Sequence, residues 1–366
     1  MMLDRMQITR FREWINSNDW TMFEYKNKER KNQWNCICSA MDWIDVAIQY
    51  IIQHPINSLG EQNSIGLFSY LSCVDIVVEA IEQLHRVVFS TGNVVFSEDR
   101  DCFKNNQFNQ TDREYFKTLR ACFGAHPVNL TDPEDPTNKN ARRFASWSGG
   151  FVGPGDFSVY LYSNKIDGKD IALGIHFSQV ETFLEKYYNH LSTLKNELQR
   201  QLNVFVKEKK KKRITKSNDP IEQLHILQIE CAERLNNTYY RTAIEELLRT
   251  FQTPIIEKGN QILVNRYLDM LKVEIEELKQ NLQKMVFRDL ASDHFIESRT
   301  VPLKNGWAYW VEKLNDARLG HGYPETMWIN QIEDIFAGKF VFRFSSYQEL
   351  YVLVKAAIYD ISEFKL

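Results

Sequence analysis

The phrase Lys117-Thr118-Leu119-Arg120-Ala121-Cys122-Phe123-Gly124-Ala125-His126-Pro127 holds a permanent cation and a titratable ring six positions apart. An imidazole titrates close to neutral pH, so it can exchange a proton with a ribose 2′-hydroxyl or with a leaving oxygen. A guanidinium stays charged and can hold two phosphate oxygens while negative charge builds on them. Arg120 and His126 together therefore suit the cleavage of RNA phosphodiesters, chemistry that needs neither a metal ion nor a cofactor. Six residues of ideal helix turn through about 600°, which leaves the two side chains about 120° apart. Gly124 and Pro127 allow the last turn to unwind and bring His126 toward Arg120.

A plainer reading stands beside this one: a helix-end histidine that meets carbonyls and an arginine held in an ion pair. A second pair at the same spacing, Arg288 and His294, has Asp289 and Asp293 beside it, which repel phosphate. Asp75, Glu79 and Glu82 lie at helical spacing, but no HEXXH or EXXH partner accompanies them, so a solvated or ion-paired face is expected and no metal site. Glu79 is the candidate to orient Arg120 from a neighbouring helix. Lys209, Lys210, Lys211, Lys212 and Arg213 lie in a basic run whose self-repulsion suits a solvated linker or a frayed helix end. The same run is the candidate patch for RNA phosphates. The glycines at 149, 150, 153 and 155 lack a P-loop lysine, and no Gly-x-Ser-x-Gly elbow occurs.

These residues have to be positioned by helices. From Trp34 to Ile52 apolar residues recur at spacings of three and four, and His54-Pro55 stops the pattern. A second such stripe runs from Ser64 through Leu67, Leu71, Val74, Val78 and Ile81 to about Gly92. A third opens with Thr111 or Asp112 as N-cap and places Tyr115, Phe116 and Leu119 on one face. Leu130 to Gly155 is rich in Asp, Pro, Asn and Gly and reads as a loop, with Ser146-Trp147-Ser148 an aromatic anchor of no evident purpose. Phe157–Tyr162 and Ile171–Phe177, around Asp167-Gly168, predict a β-hairpin. A long helix follows from about Ser178 to Val206. Beyond Pro220, one helix is expected to about Phe251 and another of about eight turns through Ile262, Leu271, Leu278 and Val286, with Glu274 and Glu276 on its wet face. Three shorter helices are expected near Trp307–Asp316, Met327–Ala337 and Ser346–Phe364.

The fold class is thus mainly α: two helical parts with a small β-hairpin insertion. The expected division is an N-terminal helical domain over 1–206 with the hairpin near 157–177, a basic linker over 207–220, and a C-terminal helical domain over 221–366. The chain has 366 residues, 43% of them hydrophobic and 25% charged, and a formal net charge of -3, so contact with a polyanion must come from a local patch. The six cysteines form no CxxC pair and read as reduced core thiols. Met1 to Glu13 lacks the apolar core of a secretion signal, and no uninterrupted run of about 20 apolar residues predicts a membrane span. Cytoplasmic residence is the expectation.

The Arg120/His126 phrase resembles the R-x(4–6)-H signature of the HEPN superfamily, over Ser64 to Asn129. Ala121 stands where members of that family often carry a polar residue. The resemblance implies a metal-independent endoribonuclease or RNA-binding protein of bacterial toxin or phage-defence type, with Arg120 clamping the scissile phosphate and His126 transferring a proton. It also implies a homodimer with a composite site. The alternative is a non-catalytic helical scaffold that binds a neighbour-encoded protein, with surfaces around Trp307, Trp310 and Trp328 as the contact.

Overall fold

A computed structural model describes residues 3–58, 63–147, 153–291, 316–321, 341 and 346–363. The helices are α1 (Met6–Asn16), α2 (Asp19–Tyr25), α3 (Gln33–Gln53), α4 (Ser64–Phe89), α5 (Asp112–Arg120), α6 (Phe177–Lys211), α7 (Pro220–Glu233), α8 (Thr238–Gln252), α9 (Lys258–Lys284) and α10 (Tyr347–Glu363). The strands are β1 (Leu130–Thr131), β2 (Arg142–Ser146), β3 (Phe157–Ser163) and β4 (Ile171–Ile175). The fold is mainly α, as the periodicity predicts. Trp307, Trp310, Trp328, His294 and the two helices expected near them lie outside the described residues.

The chain divides into two compact units, Met1–Leu202 and Asn203–Leu366. In the first, α3 and α4 pack side by side. Ile37, Ile44 and Ile48 of α3 and Leu67, Leu71, Val74, Val78 and Ile81 of α4 are buried completely. Asn63 caps α4 by accepting from the Gly66 N–H, and the helix stops at Ser90, whose backbone is left-handed. By length and composition α4 is long and apolar enough to cross a bilayer, contrary to the reading of its sequence. Of its apolar stretch 44% is buried against the protein, and Asp75 and Glu82 are paired with arginines of α5.

The sheet is an antiparallel meander in the order β1-β2-β3-β4. The predicted hairpin is β3 with β4, but β1 and β2 fall inside the stretch read as a loop. Arg142-Arg143-Phe144-Ala145-Ser146 shows no apolar alternation, so its strand character was not visible. Its pairing follows from the open edge of β3, opposite which Phe144 meets Tyr162 and Ala145 meets Leu161. Arg143 is buried on the inner face and is tolerated there because Asp132 and Glu134 sit 3.0 and 2.9 Å from its guanidinium. Gly174 admits the chain that crosses β4: a Cβ there would collide with the Pro154 carbonyl.

In the second unit, Leu224, Leu227, Ile244, Leu247, Leu271, Leu278, Leu282 and Leu353 form a helical core. The single helix expected to Phe251 is two, α7 and α8, broken at Leu235 and Asn236, both of positive φ. The break turns Arg234 inward, where it is fully buried and pairs with Glu230 at 2.8 Å. Its guanidinium also donates to the backbone carbonyls of Lys209 and Lys212, each at 2.7 Å, in the last turn of α6 and just beyond it. Glu274, expected on the wet face of α9, is 1% exposed. The basic linker expected over 207–220 is likewise helix as far as Lys211, and the division between units falls within α6. Lys212 meets Glu233 at 2.7 Å and Glu230 at 3.3 Å, and Lys209 meets Glu233 at 3.5 Å, so acidic α7 offsets the repulsion that would have frayed the helix.

Candidate functional site

Helix α5 begins with a capping box: Thr111 accepts from the Glu114 N–H, and Glu114 accepts from the Thr111 N–H. It runs antiparallel along α4. Asp75 and Glu82 on α4, and Arg113 and Arg120 on α5, are each seven residues apart, about 20° short of two full turns, so each pair shares a face. The two faces meet. Arg113 donates to Glu82 at 2.6 and 3.2 Å and to Asp75 at 3.3 Å. Arg120 meets the other oxygen of Asp75 at 3.1 Å. Burial opposes the charge on Arg113, but its hydrogen bonds to Glu82 and the charges of Glu82 and Asp75 outweigh it and raise its pKa further.

The two arginines differ in access. The Arg113 side chain is 12% exposed and structural, whereas that of Arg120 is 38% exposed. The Nε of Arg120 is buried without a hydrogen-bond partner, and Nη1 is the atom that meets Asp75. The carboxylate that meets Arg120 belongs to Asp75 and not to Glu79, the residue proposed from sequence. Glu79 is exposed and lines a cavity of about 360 Å³ between α3 and α4, with Cys36, Ser39, Trp43, Ile76 and Gln83.

After Arg120 the helix widens into one π turn, Ala121–Ala125, closed by the His126 N–H donating to the Ala121 carbonyl at 3.1 Å. Such turns recur at functional positions because they re-aim the residue that follows. Gly124 leaves the helical region here and lies so close to α4 that a Cβ would overlap the Phe68 side chain, at 2.0 Å from its ring and 2.9 Å from its own Cβ. Phe123 is buried and meets Trp147 and Phe157 edge-on at 5.7 and 6.5 Å, while Trp147 and Phe157 meet at 4.8 Å. Trp147 thereby finds its purpose: it wedges the π turn against the inner face of the sheet. The Ala145 N–H donates to the Pro127 carbonyl at 2.7 Å, tying the next turn to β2. Arg120 and His126 thus bracket a braced turn. His126 is exposed, and among the described residues no hydrogen bond or ion pair joins its ring to Arg120.

His85 lies in the last turns of α4. It faces His190 of α6, with a ring nitrogen of each 3.1 Å apart, and Phe96 lies edge-on to His190 at 5.3 Å. Burial, with the neighbouring His85 adding to it, lowers the pKa of His190 from 6.5 to about 4. A folded-state value below the unfolded one means that the stabilisation is complete above pH 6.5 and is lost as the pH falls toward 4. The loss amounts to at most about 3 kcal/mol, at about 1.4 kcal/mol per pH unit. Urea midpoints should therefore fall between pH 7.5 and about 4.5, and His190→Phe should flatten that part of the profile. An unchanged profile in the variant would remove His190 as the cause.

Asp101, Cys102 and Asp112 bring three potential metal ligands within 4.8 Å of one another. Their neighbours account for them. Asp112 accepts the N–H groups of Asp101, Cys102 and Phe103, and Asp101 meets Lys186 at 2.6 Å, so the cluster anchors the loop before α5. Of the basic run, Lys209 and Lys212 are engaged by α7, while Lys210, Lys211 and Arg213 are exposed. Comparisons with protein-family models, with characterised proteins and with solved structures find no match to this chain.

Proposed function

We propose that this protein acts on RNA phosphodiesters as a HEPN-like, metal-independent endoribonuclease, with Arg120 holding the phosphate and His126 moving the proton. The observation that carries this reading is the braced π turn. It stands between a partly exposed guanidinium and, six residues on, an exposed imidazole, at the end of a helix that is ion-paired to α4. Preorganised groups of this kind stabilise the developing charge without moving at the moment of reaction. Lys210, Lys211 and Arg213 are proposed to add phosphate contacts of no sequence preference. A homodimer and a cytoplasmic setting belong to the same proposal.

A specific observation also favours the alternative, a non-catalytic scaffold. Asp75 neutralises Arg120, and Trp43 and Val46 of α3 are 55% and 58% exposed, a surface suited to a protein partner. The two readings separate in one assay. Arg120→Ala and His126→Ala are each expected to lower single-turnover cleavage of single-stranded RNA by about 10²–10⁴-fold while circular dichroism and urea midpoints stay close to the parent. Parent-level cleavage by both variants, or no cleavage by the parent, ends the nuclease reading.

A further inference from the structure

The outer face of the sheet carries a row of rings that the proposed chemistry does not use. Strand register defines that face, because residues directly opposite each other share it. Thr131 lies opposite Arg142, Phe144 opposite Tyr162, and Tyr160 between Ser146 and Ala172. The alternate residues Phe157, Val159, Leu161 and Leu173 are buried below. Phe144 and Tyr162 are each 40% exposed, and the Tyr162 ring lies within 16° of parallel to that of Tyr160 at 6.1 Å.

The chemistry of the face selects an occupant. Among the described residues these outer positions include one cation, Arg142, and no carboxylate. Arg142 is steadied by a hydrogen bond to the Thr131 hydroxyl at 3.1 Å. Flat rings set side by side with a guanidinium among them are what unpaired bases stack on, whereas the bases of a duplex are already stacked on one another. The hydroxyls of Thr131, Ser146 and the tyrosines keep the face wet, which disfavours a lipid surface.

We propose that this face binds single-stranded RNA, with Phe144 and Tyr162 stacking on bases and Arg142 meeting a phosphate. It deepens the nuclease reading and rests on it for the choice of RNA. The Pro127–Ala145 backbone bond sets the turn that carries His126 beside the strand that carries Phe144. Affinity comes mainly from stacking. With one phosphate contact its logarithm should fall with that of the salt concentration with a slope of about -0.7.

The test is fluorescence anisotropy of a labelled 12-nucleotide single-stranded RNA on the full chain carrying His126→Ala, which keeps the probe intact. Adding Phe144→Ala or Tyr162→Ala should weaken binding about 5- to 150-fold, with Phe144→Trp restoring it. A duplex of the same length should bind at least about tenfold more weakly, since it offers no free base faces. Parent-level binding by both alanine variants, equal binding of the duplex, or no binding at all overturns the proposal. Self-association that Tyr162→Ala abolishes would assign the face to protein and overturn it as well. Failure of the two ideas is distinguishable: intact stacking alongside unimpaired cleavage by Arg120→Ala and His126→Ala removes only the catalytic assignment, and lost cleavage with unaffected platform variants removes only the platform.

Discussion

Arg234→Met is expected to lower the stability of the second unit by about 3–5 kcal/mol, the cost of removing one member of a fully buried ion pair. The magnitude is large because this one side chain performs several tasks. It neutralises Glu230, and it donates to the carbonyls of Lys209 and Lys212, with Leu282 a longer contact at 3.4 Å. Helix ends leave carbonyls unsatisfied, and a buried cation is a favourable group to meet them. Methionine fills the volume and supplies none of those bonds. Lys212, 3.3 Å from Glu230, softens the loss by keeping that carboxylate partly paired. Urea unfolding followed by circular dichroism gives the number, and a change under about 1 kcal/mol would mean that the buried guanidinium is dispensable. The double variant Arg234→Met with Glu230→Leu should recover part of the loss, because an apolar pair of similar volume leaves no charge stranded. The carbonyls left uncapped lie in the basic run, so Arg234→Met should also fray the helix around Lys210 and Lys211.

Asp75→Asn is the second variant with a large expected effect, about 2–4 kcal/mol of destabilisation. The carboxylate is 15% exposed, and each of its oxygens takes one arginine. Asparagine keeps the shape, replaces one acceptor by a donor and removes the charge. Arg113 retains Glu82 at 2.6 Å, which keeps the loss below that of an isolated buried charge. Arg120 loses its carboxylate partner, and a cation released at a phosphate site binds phosphate more tightly. RNA affinity should therefore rise about tenfold even as the thermal midpoint falls, a pairing of opposite effects that a purely structural role for Arg120 does not produce. Affinity that falls along with stability would place Arg120 in the frame and outside the site.

Much of the frame was legible from residue order. The stripes of α3 and α4, the Thr111 cap and the β3–β4 hairpin are written in spacings of two, three and four residues and in single capping groups, all of them local. The candidate pair Arg120 and His126 was legible for the same reason, since both lie within one short phrase. Its support was not. Asp75 and Glu79 stand one turn apart on nearly the same face of α4, about 40° from each other, so the choice between them as the partner of Arg120 depends on the height at which α5 crosses α4.

Sequence by itself determined that the chain is mainly α, the stripes of α3 and α4, the cap of α5, the β3–β4 hairpin, and that a cation and an imidazole stand at the end of one helix. Tertiary structure alone decided what those groups meet. It converted a repelling lysine run into helix by bringing acidic α7 beside it, and it made a strand of Arg142–Ser146 by supplying an open edge and two carboxylates for Arg143. It also turned Trp147 into the wedge behind a π turn. The physical reason is common to all three: burial of a charge or completion of a strand depends on partners far away in the chain, and no local periodicity encodes them.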